Sequence, residues 1–116
     1  MDNSSEYENK ITFEEKFQSE TLRPIIEKKQ DLILQIVKNY NKKKSIKMKE
    51  LSAGEKNNYI NNVLFKETHF TNELKGVIIG NFSSEDYFEY LEMEKDMNKR
   101  MVSLLKESLK SNIAIL

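Results

Sequence analysis

Glycine and proline are scarce in this chain, and that scarcity constrains its fold more than any other feature. The 116 residues include three glycines and one proline, the two residue types that most often end regular elements. Apolar residues recur at the three- and four-residue spacing of helices that bury one face. The sequence therefore predicts an all-α domain, a bundle of four to five helices with a long C-terminal helix.

Several residues mark where these helices begin. Three Ser or Thr residues stand three positions before an acid, as in a capping box that satisfies free backbone N–H groups; the pairs are Thr12 with Glu15, Ser52 with Glu55, and Ser83 with Asp86. Thr71 is a further N-cap candidate. With the apolar spacing, these signals predict helices over 13–40, 53–67, 72–81 and 84–111. We expect residues 1–11 to form a disordered tail and 12–116 a single helical domain.

Two segments leave alternatives open. Pro24 lies inside the first helical stretch and predicts either a kinked helix or a break with a clean restart, because proline removes a helical hydrogen bond but suits a first turn. Within residues 74–80, the three residues between Gly76 and Gly80 are β-branched, as is typical of a strand. A lone strand is not stable, so we expect a short helix. The two glycines would then share a face and permit close helix packing.

The end of the chain predicts an interaction surface. A helix over 84–111 would be about 42 Å long, whereas a compact domain of this size is only about 35 Å across. We therefore expect this helix to kink, fray or project. Methionines on it are adaptable contact residues, although core packing is the alternative. The candidate interaction residues here are Met93, Met97, Met101, Ile113, Ile115 and Leu116, and a second copy of the chain is the simplest partner.

The zero net charge conceals opposed blocks. Residues 38–56 hold seven Lys and two Glu, a balance of +5, whereas residues 83–96 hold six acids and one Lys, a balance of −5. Lys42, Lys43 and Lys44, with Lys47 and Lys49, suggest a phosphate- or membrane-binding patch. The alternative is that these cations complement the C-terminal end of a helix. The two blocks could also attract each other, within one chain or between two.

Composition and spacing exclude most catalytic chemistry. The chain has no cysteine and one histidine, so thiol catalysis and multi-histidine metal sites are absent. His69 and Glu73 would share a helix face, but the expected cap at Thr71 separates them. The two arginines, Arg23 and Arg100, are expected to form structural ion pairs. We predict no catalytic residue, cofactor or metal.

Three segments resemble a family. They are EKFQ and TLRP within 15–24, LKGVIIGNF at 74–82, and NKRM at 98–101. These segments resemble those of a group of short, uncharacterised bacterial helical proteins, some of which carry an automatic glyoxalase label. Glyoxalase-type domains resemble paired βαβββ modules with His and Glu metal ligands. This sequence has one His and no strand pattern, so we do not expect that activity.

Taken together, the sequence favours a non-enzymatic helical protein that acts through protein contacts, as a homodimer. The alternative is a nucleic-acid-associated regulator that uses the basic segment 42–49. Neither a signal-peptide pattern nor an apolar run of about 20 residues is present, so we expect a cytoplasmic protein without a membrane partner.

Overall fold

The computed structural model describes residues 11–116, and every regular element in that part of the chain is helical. Six helices succeed one another there: α1 (13–28), α2 (Gln30–Lys43), α3 (Ala53–Asn62), α4 (Thr68–Ile79), α5 (Ser84–Glu92) and α6 (Glu94–Ser111). Short 3₁₀ turns, Met48–Glu50 and Leu64–Lys66, flank α3. The all-α prediction is confirmed, with one helix more than expected. Apart from Ile11, the predicted N-terminal tail lies outside the described residues.

The predicted caps begin α1, α3 and α5. Both halves of the capping box are present at Ser52 and at Ser83: each side chain accepts from the backbone N–H three residues on, and the acid there accepts from the Ser N–H. Thr12 Oγ1 accepts from the Glu15 N–H at 3.1 Å. Local sequence therefore places these three helix starts where they were predicted.

Helix α1 stays helical through Pro24. Its segments are Phe13–Phe17, a π-helical turn Gln18–Leu22, and Arg23–Lys28, and the Arg23 N–H bonds to the Gln18 carbonyl five residues back. The widened turn comes just before the proline, whose ring crowds the preceding turn of a helix and whose nitrogen donates no hydrogen bond. The predicted helix over 13–40 does break, but at Lys29, where φ is −99° and ψ is 14°.

The core is built around one face of α6. Met97, Met101, Leu105 and Leu109 have no exposed surface, and α6 contacts α1, α3, α4 and α5. Each such side chain contributes about 1.5–3 kcal/mol through burial. Met97 and Met101 are therefore core residues, and placing them on an interaction surface is wrong. Met93 is half-buried and packs against the same core.

The predicted helix over 84–111 is interrupted at Met93, where φ is −130° and ψ is 25°, and this break is the kinked alternative among the three that its length predicts. The 18 residues of α6 span about 27 Å, which fits inside the domain. Beyond α6 the chain does not project. Ile113 and Leu116 fold back against the core, and Ile115 remains 53% exposed.

Helix α4 corrects two further predictions. Thr71 is not a cap: it is buried in the first half of α4, and its hydroxyl donates to the carbonyls of Phe65 and Glu67, each at 2.9 Å. Gly76 and Gly80 do share a face, but that face is exposed. A Cβ on Gly76 would meet nothing within 4 Å, so the glycines form no close helix contact.

This exposure yields a prediction for stability. Gly76→Ala should raise the free energy of unfolding by about 0.5–1 kcal/mol, since alanine loses less backbone entropy in a helix and meets no neighbour. Gly80→Ala is the matched control, because its Cβ would lie 3.0 Å from the Gly76 carbonyl oxygen. Urea denaturation measures both variants. Destabilisation by Gly76→Ala would show that this face is covered in solution.

Candidate functional site

The groups that most resemble chemical sites in the sequence do not form one. His69 and Glu73 do lie on one face of α4, because the expected break at Thr71 is absent, but both are exposed. Among residues 11–116, no three metal-ligating side chains converge. The same part of the chain has no helix with the length and hydropathy to cross a bilayer.

The two arginines tie α1 to α6 and are structural, as predicted. Arg23 Nη1 lies 3.4 Å from Glu107 Oε1. Arg100 Nε lies 2.8 Å from Asp96 Oδ2, and its Nη1 donates to Gln18 Oε1 at 2.7 Å. These groups are already partnered within the fold.

An aromatic face on α5 is the first unpartnered surface. Phe88 is 68% exposed, and Tyr87 and Leu91 beside it are 43% and 44% exposed. In the part of the chain that the structure describes, Tyr90 is the only buried residue of α5. Large contiguous apolar patches are uncommon on the surfaces of monomeric proteins, and those that occur often mark sites of protein contact. The acidic block 83–96 surrounds this aromatic face.

A groove between α3 and the loop before it is the second surface. It has a volume of about 870 Å³, and its apolar wall is formed by Ile46, Leu51, Tyr59 and Val63. Val63 is 49% exposed. Lys47, Glu50 and Glu55 also line it. This α3 groove therefore combines an apolar wall with one basic and two acidic side chains of the segment 38–56.

The predicted basic residues lie at the C-terminal end of α2. Lys42, Lys43 and Lys44 are exposed there, where cations complement the helix dipole. Lys44 is partnered within the chain: its Nζ lies 3.7 Å from Glu67 Oε2 and 5.8 Å from the centre of the Tyr40 ring. Tyr40 also donates to Glu67 at 3.0 Å, and burial, followed by this hydrogen bond, raises the pKa of Tyr40.

A left-handed residue ends α2. Ser45 has φ of 58°, the Ser45 N–H bonds to the Lys42 carbonyl, and the Ile46 N–H bonds to the Asn41 carbonyl at 2.8 Å. These two bonds form a Schellman motif, which reverses the chain and returns Lys47 towards α2.

Asn41 is the buried polar residue beneath this turn. It is 4% exposed, and its Oδ1 accepts a 2.6 Å hydrogen bond from the Tyr59 hydroxyl. Among residues 11–116, its Nδ2 has no hydrogen-bond partner. Burial raises the pKa of Tyr59 to about 12, so the phenol stays protonated and keeps donating. Asn41 also forms part of the wall of a cavity of about 380 Å³.

No protein-family model, no curated protein and no solved structure matches the chain. Sequence analysis identified the lysines but missed Asn41, Tyr59 and Phe88. A signal for Asn41 was present, because it continues the buried spacing of Ile33 and Val37 on α2.

The buried hydrogen bond can be tested by stability. Tyr59→Phe leaves Asn41 Oδ1 buried without a donor and should lower the free energy of unfolding by about 1–3 kcal/mol. Tyr90→Phe is the matched control, because its partner Asn98 is only half-buried and water can replace the hydroxyl. Urea denaturation of the two variants compares them directly. Equal losses would contradict the special role of Asn41.

The raised pKa predicts a pH dependence. The folded-state pKa of Tyr59, about 12, lies above the ordinary value of 10.0. Its contribution to stability is therefore complete below pH 10.0 and is lost as the pH rises towards 12. Above pH 10.0 the wild type should lose unfolding free energy faster than Tyr59→Phe. Parallel curves for the two proteins would rule out this linkage.

Proposed function

We propose that this chain is a non-enzymatic interaction protein that forms a homodimer through the aromatic face of α5. The observation that carries the proposal is the exposure of Phe88, Tyr87 and Leu91 on a helix that only Tyr90 anchors. The apolar C-terminus no longer supports it, since Ile113 and Leu116 pack against their own core.

The acidic side chains around the aromatic face of α5 indicate which surface of a second copy packs against it. Two acidic α5 faces would repel each other, whereas the basic segment 38–56 of a second copy would attract one. Within residues 11–116, no lysine of that segment forms an ion pair with an acid of 83–96, so this attraction is not satisfied inside the chain. Opposite charges on one molecule thus favour pairing between two copies.

The α3 groove supplies the apolar counterpart. Its wall contains Ile46, Leu51 and Val63, and its volume of about 870 Å³ accommodates aromatic side chains. In the proposed dimer, Phe88 and Leu91 of one protomer pack into the groove of its partner. Two-fold symmetry then forms the contact twice, which is how self-complementary dimers gain affinity.

A matched pair of leucines tests the dimer. Leu91→Gln should raise the dimer dissociation constant about tenfold or more, the effect of removing a central apolar contact. Leu32→Gln is the control, because Leu32 is 48% exposed on α2, close to the 44% of Leu91. Light scattering and sedimentation equilibrium at micromolar concentration measure both.

A second variant locates the other half of the contact. Val63→Gln in the α3 groove should weaken the dimer as Leu91→Gln does. A wild-type chain that is strictly monomeric would refute the homodimer. A dimer that Leu91→Gln and Leu32→Gln affect equally would refute the α5 interface.

A further inference from the structure

A cavity at the end of α2 has features that neither the dimer nor the fold explains. Its volume is about 380 Å³. Lys38, Asn41 and Lys42 line it from α2, and Lys47 lines it from the loop. This lysine cavity adjoins the α3 groove and shares Ser45, Ile46 and Lys47 with it, whereas Lys38, Asn41 and Lys42 line the cavity and not the groove. The proposed dimer contact does not use Lys38, Asn41 or Lys42, so it does not explain why these residues line a common cavity.

The charges around the cavity are unbalanced. Three lysines line it, together with Asn41, Ser45, Ile46 and Leu116, and no Asp or Glu side chain does. Within residues 11–116, none of these three lysines forms an ion pair, in contrast to Lys44 beside them, which is paired with Glu67. Like charges brought together without a counter-charge repel one another. An anion in the cavity would relieve this repulsion.

The buried side chain of Asn41 is a second, independent indication that the cavity binds an anion. Its side chain is buried, its Oδ1 is held by Tyr59, and its Nδ2 donor has no acceptor. Tyr59 does not line the lysine cavity, so the oxygen end of the amide is turned towards a residue outside it. Buried donors without acceptors are rare in folded proteins and call for an explanation. A ligand oxygen at the cavity wall would supply the missing acceptor.

We propose that the lysine cavity binds a phosphate group, either as inorganic phosphate or as a phosphate monoester. Phosphate carries close to two negative charges at neutral pH and several acceptor oxygens, which suits three ammonium groups and one amide donor. The volume lies within the range of small-ligand sites. The zero net charge of the chain disfavours a long polyanion as the ligand.

Phosphate titration followed by NMR tests this site. The ¹⁵N-labelled full chain is titrated with inorganic phosphate, with ionic strength held constant by sodium chloride. We expect saturable shifts of the Asn41 side-chain amide and of the backbone amides of 45–47. Lys42→Ala should weaken binding about tenfold, the loss of one charge-assisted hydrogen bond. Lys43→Ala is the matched control, because it removes the same charge from the same helix end without lining the cavity.

Further binding measurements distinguish the source of the phosphate group and test the rival explanations. Binding of soluble phosphate alone indicates a free small molecule, whereas additional retention by phosphatidylcholine vesicles that contain phosphatidic acid indicates a lipid headgroup. Shifts that chloride reproduces, or an Asn41 amide that does not move, would overturn the proposal. So would equal weakening by Lys42→Ala and Lys43→Ala, or preferential binding of a DNA duplex, since both indicate a diffuse basic surface. The same titration of Leu91→Gln separates phosphate binding from self-association.

Discussion

Burial of the methionine and leucine face of α6 is the interaction on which the rest of this structure depends. Because α6 contacts α1, α3, α4 and α5, it occupies the centre of the domain. The chain breaks at Met93, and α6 begins at the next residue. Within residues 11–116, Tyr90 is the one residue of α5 that is buried, and the aromatic face of α5 stays exposed. The exposed surface proposed for self-association is thus a consequence of how the core is filled.

Hydrogen bonds at the C-terminal end of α2 are a second constraint on the fold. The end of α2 is fixed by the Schellman motif at Ser45 and by the Tyr59 hydroxyl on Asn41. The Tyr59–Asn41 bond connects α2 to α3 across the lysine-rich loop, and the Schellman bonds fix the direction in which that loop leaves α2. Both the α3 groove and the lysine cavity border this loop. Its lysines therefore serve two proposed contacts, an acidic partner helix and a phosphate group, which have Ser45, Ile46 and Lys47 in common.

The fold class and the helix starts at Thr12, Ser52 and Ser83 could be predicted because capping is local: each cap is formed by residues three apart. The predictions that failed in α4 rested on residue type or spacing without knowledge of the neighbouring contacts. Thr71 has the residue type of a cap, yet its hydroxyl is satisfied by carbonyls before it. Gly76 and Gly80 have the spacing of a close contact, but no helix approaches that face. Of the candidate surfaces, the lysines could be predicted, and the spacing along α2 indicated that Asn41 is buried, whereas the hydrogen bond of Asn41 to Tyr59 and the exposure of the α5 face could not be predicted.

By itself, the sequence determined that this chain is helical, where three of its helices begin, that its charges fall into opposed blocks, and that thiol and multi-histidine chemistry is absent. Only the tertiary structure decided which apolar residues are core and which remain exposed. Met97 and Phe88 are equally apolar and both helical, but one is fully buried and the other 68% exposed. The difference arises because burial depends on how helices distant in the sequence pack together, and periodicity along one helix does not contain that information.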